Sequence, residues 1–301
     1  MPELPDIQLY LHALAPRVIG RTIERIGIVS PFVLRTFDPP IEAAEGAVVI
    51  GLSRIGKRIV FELDRDELFI IVHLMIAGRF RWDDKTGAKA PGKIALASFL
   101  FPSGTLHLVE SSPKKRASIH VFRGRPALAG VDPGGLDLFA IDVQAFARQL
   151  RRENHTLKRS LTDPRTFDGI GNAYSDEILH AARLSPVKLT GRLTDGDIER
   201  LFFAARETLA TWIDKLKAEF AGKFPGPGSV TAFRPDFAVH GKFGQPCPVC
   251  GTTVQRIRYA DNETNYCPRC QTEGKLLADR SLSRLLKSDW PKSIDELESE
   301  G

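Results

Sequence analysis

All four cysteines of this 301-residue chain fall in two Cys-x-x-Cys pairs near its C-terminal end, Cys247-Pro-Val-Cys250 and Cys267-Pro-Arg-Cys270, with sixteen residues between the pairs. That spacing suits four thiolates around one zinc ion. Two disulfides are the competing reading, but a chain of this length with 43% hydrophobic residues buries a core without covalent staples, so one structural Zn2+ ion is expected. Four protein ligands leave no open coordination position, and the metal is therefore expected to hold a fold rather than perform chemistry. Between the pairs, Thr252 to Tyr259 alternates like a strand and Asn262 to Asn265 reads as a turn, which predicts a zinc-stapled hairpin. Arg256 and Arg258, two apart on that strand, are expected to share one side, where they could meet a nucleic-acid backbone.

The other end is equally specific. The chain begins Met1-Pro2-Glu3-Leu4-Pro5-Asp6. Removal of the initiator methionine, expected before a small residue, leaves Pro2 with a secondary α-amine that is partly unprotonated near neutral pH. Such an amine can attack a sugar carbon and form an iminium, by the logic of lysine Schiff bases, and Glu3 stands next in the chain to move protons.

A third segment, Phe167-Asp-Gly-Ile-Gly-Asn172 followed by Ala173 to Pro186, is a Gly-rich turn opening an amphipathic helix that ends before Pro186. Backbone amides at such a helix start form a phosphate seat, to which Asn172 adds a side-chain donor.

Taken together, from residue 2 to about residue 271, these segments resemble the Fpg/Nei family of DNA glycosylase/AP lyases: the Pro-Glu-Leu-Pro-Asp start, Gly56-Lys57, His73-Leu with Gly78, the Gly-Ile-Gly-Asn172 turn and the four-cysteine finger occur in matching order and spacing. The resemblance implies a base-excision repair enzyme acting on damaged DNA. Pro2 would displace an oxidised or ring-opened base as a covalent imine, Glu3 would serve as acid and base, and Lys57 would contact phosphate beside the lesion, with strand cleavage by β- or β,δ-elimination. No redox cofactor or catalytic metal is needed. A loop near Gly222 to Gly228 would help to cover the extruded base.

The chain departs from the family pattern in two places. Asn262 stands where relatives carry an arginine in the finger turn, and Arg256, Arg258 or Lys242 could compensate. Ile76, with Met75 beside it, stands at the usual methionine position, and Lys114, Lys115 and Arg116 replace a run that ends in an aromatic wedge. Because an extruded base leaves a stacking hole costing a few kcal/mol, the loss of that wedge predicts a preference for single-stranded, bubble or abasic substrates.

Composition agrees with a nucleic-acid partner: 42 Lys and Arg against 37 Asp and Glu give a formal charge of +5. Further basic clusters at Arg123 and Arg125, and at Arg148, Arg151, Arg152, Lys158 and Arg159, are candidate phosphate contacts. No apolar run is long enough to span a membrane and no signal pattern opens the chain, so a cytoplasmic, nucleoid-associated protein is expected, and the family resemblance implies a monomer.

The fold class is α+β. Residues 1–135, with a helix over Asp6 to Ile19 and β-rich runs at Thr22–Ile28, Arg58–Leu63, Leu68–His73 and Thr105–Val109, predict an antiparallel β-sandwich with a flanking helix. Residues 136–240 predict a helix-two-turns-helix domain with the mobile loop, 241–274 the zinc finger, and 275–301 a C-terminal extension. In that extension, Lys275 to Trp290 has helical spacing, suited to packing or to a protein partner, and the acidic stretch Ser293 to Gly301 predicts disorder. Two alternatives stay open: a non-catalytic DNA-damage-binding member of the same fold, and a tautomerase-like use of the N-terminal proline on small keto acids, in which the finger has no role.

Overall fold

The computed structural model describes residues 1–259, 262–278, 284–285 and 291–299. The chain divides into two compact units: Met1–Pro133 with Trp212–Ala232, and Gly134–Thr211 with Phe233–Gly301.

The first unit opens with α1 (Leu4–Val18), two residues earlier than the apolar spacing predicts. Glu3 is the N-cap and Pro5 lies in the first turn, where its missing N–H costs nothing. The helix buries Ile7, Leu9, Tyr10, Ala13, Leu14 and Val18, while Leu11 is only half-buried.

Eight strands follow: β1 (Arg25–Ile28), β2 (Val49–Ile55), β3 (Arg58–Leu63), β4 (Leu68–His73), β5 (Gly78–Asp83), β6 (Ala95–Phe101), β7 (Gly104–Glu110) and β8 (Ser118–Arg123). They form two antiparallel four-stranded sheets, β1-β6-β7-β5 and β2-β3-β4-β8. Phe61 of β3 meets Phe99 of β6 at 6.3 Å and Phe80 of β5 at 6.5 Å between ring centroids, so the inner faces close on one aromatic core. Tyr10 seats α1 on this core, edge to face with Phe80 at 5.4 Å, and its hydroxyl accepts the Phe80 backbone N–H at 3.2 Å.

Residues 212–232 complete the unit. Phe224 packs on Tyr10 and Trp82 at 6.0 and 6.3 Å, and Arg17 lies over Phe224 while donating to the Gly222 carbonyl at 2.9 Å.

The second unit contains α2 (Val143–Arg151), capped by the Asp142 carboxylate on the Ala145 N–H, α3 (Leu157–Thr162), α4 (Asn172–Ala181) and the greater part of α5 (Asp195–Phe220). Phe146 stacks on Phe167 at 4.6 Å in its core. The zinc hairpin pairs β9 (Gln255–Tyr259) with β10 (Asn262–Tyr266), and α6 (Pro268–Thr272) starts at Cys267.

Two expectations from the sequence are corrected here. Asn262 to Asn265 is strand rather than turn, with Asn262 paired to Tyr259; residues 260–261 lie outside the described residues. The acidic end is not structureless, because α7 (Ile294–Ser299) forms, with Ser293 Oγ accepting the Glu296 N–H at 3.3 Å and Ile294 fully buried. The signal for it, Ser293-Ile-Asp-Glu296, is a capping box.

The helix predicted over Lys275 to Trp290 lies largely outside the described residues. Lys275 itself bridges Ser293, and the Leu276 N–H reaches the Lys292 carbonyl at 3.0 Å, so the start of the extension and its end pair with one another. Among the described residues, no helix is long and apolar enough to cross a membrane.

Candidate active site and zinc centre

Pro2 and Glu3 are buried. Asp6 accepts the Glu3 backbone N–H at 2.9 Å, one arm of a capping box that fixes where the chain enters α1. The terminal ammonium, on Met1, is held below its ordinary pKa, first by burial and further by the cations of Arg79 and Lys57, against the opposing pull of Glu3 and Asp6.

Lys57 reaches this group from a hairpin tip. Ile55 pairs with Arg58, leaving Gly56 and Lys57 as a two-residue loop, and Gly56 takes φ 61°, which a side chain would resist.

The Leu74–Gly78 turn is tight. The Gly78 N–H donates to the Leu74 carbonyl at 2.9 Å, Met75 adopts φ 54°, and any Cβ at position 78 would collide with the Leu74 oxygen. Ile76 is left 57% exposed at the tip. Arg79 holds this turn from within: its Nη1 donates to the carbonyls of Ile76 at 3.0 Å and Gly78 at 2.7 Å, and its Nε donates to the Val230 carbonyl at 2.7 Å.

The Lys114–Arg116 loop is organised by buried Glu110, whose carboxylate accepts the N–H groups of Arg116 and Ala117 at 2.8 and 3.0 Å. The Lys115 ammonium donates to the Glu110 carbonyl. Lys114 and Arg116 are exposed. Of the other basic candidates, Arg123 pairs with Asp66, Arg125 with Glu62, Arg151 with Asp195 and Lys158 with Asp176.

In the second unit, Asn172 begins α4 and its side-chain amide donates to the Glu263 carbonyl at 2.9 Å, tying the Gly-rich turn to the zinc hairpin. Two acids on α4 extend the tie. Asp176 takes His240 Nδ1 at 2.7 Å, the Asn265 N–H at 3.1 Å and the Lys158 ammonium. Glu177 accepts three consecutive backbone N–H groups, Ala238, Val239 and His240, at 2.7 to 2.9 Å. Burial still pushes the Glu177 carboxyl up.

Arg256 and Arg258 do share a side, and on it both meet the Glu263 carboxylate, at 3.2 and 3.6 Å. Arg256 also lies over the Phe243 ring at 4.0 Å.

The four cysteine sulfurs lie within 4.8 Å of one another, with separations of 3.4 Å for Cys250–Cys267, 3.5 Å for Cys250–Cys270 and 3.9 Å for Cys247–Cys270. A disulfide requires about 2.05 Å, whereas the edges of a tetrahedral thiolate site with Zn–S bonds of about 2.3 Å are about 3.8 Å. Cys247, Cys250, Cys267 and Cys270 thus form the site of one structural zinc ion. His180 of α4 adds a contact that the spacing of cysteines could not reveal: its Nε2 is 3.3 Å from Cys247 Sγ. Burial, and secondarily Arg183, holds this imidazole below its usual pKa, and a ring N–H facing the sulfur could donate to a metal-bound thiolate.

Sequence reasoning also passed over Arg79, Glu177 and Glu263. Arg79 and Glu177 act on backbone groups of distant segments, for which no side-chain pattern exists. Glu263 was hidden by the misplaced turn.

Comparison with known proteins agrees with this architecture. The formamidopyrimidine-DNA glycosylase N-terminal domain profile matches residues 1–119, its H2TH domain profile residues 130–220, and the zinc finger found in FPG and IleRS residues 244–272. A formamidopyrimidine-DNA glycosylase of Symbiobacterium thermophilum is 31% identical over 290 residues, covering 93% of each chain. A formamidopyrimidine-DNA glycosylase-like protein of Mycobacterium tuberculosis is 39% identical over 164 residues, 54% of this chain and 99% of its own. Among solved structures, the Lactococcus lactis FPG in complex with DNA containing FAPY-dG matches with a TM-score of 0.78 at 26% identity, over 90% of this chain and 100% of that one. The chain belongs to the Fpg/Nei family of DNA glycosylases.

Proposed function

We propose that the protein is a bifunctional base-excision enzyme that removes oxidised or ring-opened bases from DNA and then cleaves the strand. After loss of Met1, the Pro2 nitrogen attacks C1′ of the damaged nucleoside, the N–C1′ bond forms as the glycosidic bond breaks, and the base leaves with a proton. Protonation of the ring oxygen, with Glu3 as donor, opens the sugar to an iminium. The cationic nitrogen then acts as electron sink, a C2′ proton is lost, and the 3′ phosphate departs; a second elimination releases the 5′ phosphate. Lys57 balances phosphate charge beside the reacting sugar.

The observation that carries this reading is the burial of Pro2 and Glu3 at the start of the chain, where the adjoining Met1 ammonium is held below its ordinary pKa by burial and by the Arg79 and Lys57 cations, against Glu3 and Asp6. Asn172, Arg256, Arg258, Lys114, Lys115 and Arg116 would contact the backbone, and Met75 and Ile76 would fill the space of the extruded base. Without an aromatic wedge, single-stranded, bubble or abasic DNA is the preferred substrate. The enzyme works as a monomer in the cytoplasm, at the nucleoid.

Borohydride trapping on oligonucleotides containing an abasic site or an oxidised or ring-opened base, in single and double strands, tests this. An adduct lost in Pro2→Gly and weakened in Glu3→Gln is expected, stronger on single strands. DNA binding without any adduct, once Met1 is shown to be removed, would leave a non-catalytic damage-binding protein.

A further inference from the structure

Arg79 joins two segments that are 151 positions apart in sequence through three main-chain carbonyls. On one side stands the turn that exposes Ile76, and on the other Val230, the end of the segment whose start is seated by Phe224. Pro225, Gly226, Pro227, Gly228 and Ser229 lie between these two anchors, a run with little side chain to pack. Carbonyl oxygens at both ends of a planar guanidinium fork fix distance and orientation together, which a single ammonium cannot do. Met75 stays in a left-handed backbone conformation only because its surroundings hold it there, and Arg79 supplies bonds on the far side of that turn.

We infer that Arg79 is a positioning residue for base excision: it locks the Ile76 turn and the Val230 segment in register beside the N-terminal amine, forming the walls that an extruded base requires. The inference rests on the Pro2 reading above. An abasic sugar has no base to hold, so the two substrates depend on these walls to different degrees. The Arg79 cation also faces the amine, together with Lys57 from the β2–β3 hairpin and with Glu3 and Asp6 from α1.

Arg79→Lys and Arg79→Met, checked for zinc content and thermal midpoint, test this. In both variants, tryptic cleavage after Lys223, read by fragment mass, is expected to quicken at least fivefold. Single-turnover excision of a formamidopyrimidine is expected to fall at least tenfold, and trapping on a preformed abasic site less than threefold. The acid limb of trapping moves to higher pH in Arg79→Met and stays in place in Arg79→Lys, which separates the charge from the tether. Unchanged cleavage at Lys223, or an equal fall on both substrates, overturns the inference. If the wild-type protein forms no adduct, the Pro2 reading fails instead, and cleavage at Lys223 still decides the tether.

Discussion

Arg256 reaches across the zinc hairpin to Glu263, guanidinium nitrogen to carboxylate oxygen at 3.2 Å, and Arg258, paired with Glu263 across the strands, points to the same carboxylate. The hairpin therefore carries its own competitor for phosphate. Both partners are partly exposed, so the ion pairs add little to stability, and their main effect is on what the arginines are free to bind.

Glu263→Gln removes that competition while keeping the Asn265 hydrogen bond to Oε1. Affinity for DNA at low salt should rise about threefold to tenfold, and the plot of log affinity against log salt should steepen by about 0.7 to 0.9 for each arginine released to phosphate. Fluorescence anisotropy titrations across a salt series measure both, and an unchanged slope would mean that neither arginine meets the backbone.

Gly78→Ala meets the Leu74 carbonyl head on. Main chain cannot swing aside like a flexible side chain, so the turn that presents Ile76 must deform, at a cost of about 2 kcal/mol. The thermal midpoint should fall by several degrees, and base excision should suffer more than abasic-site trapping.

His73 gives acid sensitivity with a defined sign. Burial, and then the cations of Arg58, Lys57 and His120, lower its pKa from 6.5 to about 4. Between those values the unfolded chain takes up a proton that the folded one refuses, so stability is full above pH 6.5 and declines as pH falls toward 4. His73→Gln should flatten this part of the stability profile, as followed by thermal melts from pH 7 to 4.5. An identical decline in the variant would assign the effect to other groups.

His180→Phe keeps the bulk of the side chain and deletes the N–H aimed at Cys247. Zinc release to a chromogenic chelator should accelerate about tenfold. Removal of zinc from the wild-type protein should unpin Cys267, the N-cap of α6, and abolish tight DNA binding while the β-sandwich remains folded. Equal release rates would leave His180 as packing alone.

How far the sequence could be read depended on what kind of contact did the work. The zinc ligands were legible because metal geometry restricts spacing to a few values, and β3 and β4 because their boundaries carry clear turn signals on both sides. Strands such as β6, Ala-Leu-Ala-Ser-Phe-Leu-Phe, are continuous apolar runs whose period does not distinguish a buried strand from a helix. Asn262 to Asn265 read as a turn, and that reading concealed the pairing of Arg258 with Glu263. Asn262 and Glu263 look like turn residues by composition, yet the ladder from Gln255 to Tyr266 overrides their preference. The fork of Arg79 had no signature at all, since a carbonyl is present at every position and only the folded path selects Val230.

The seat of Phe224 on Tyr10, Trp82 and Arg17 bears on the order in which the protein comes into being. Synthesis delivers the sandwich strands first, but their unit also needs residues 212–232, which emerge only after Gly134–Thr211 of the second unit has been made. A ribosome-bound chain that stops near Pro133 leaves that aromatic seat bare and Arg79 without its Val230 partner. A fragment cut at the end of the sandwich would thus be an unfinished unit rather than an independent domain, and the amine at its front would be present long before the walls around it.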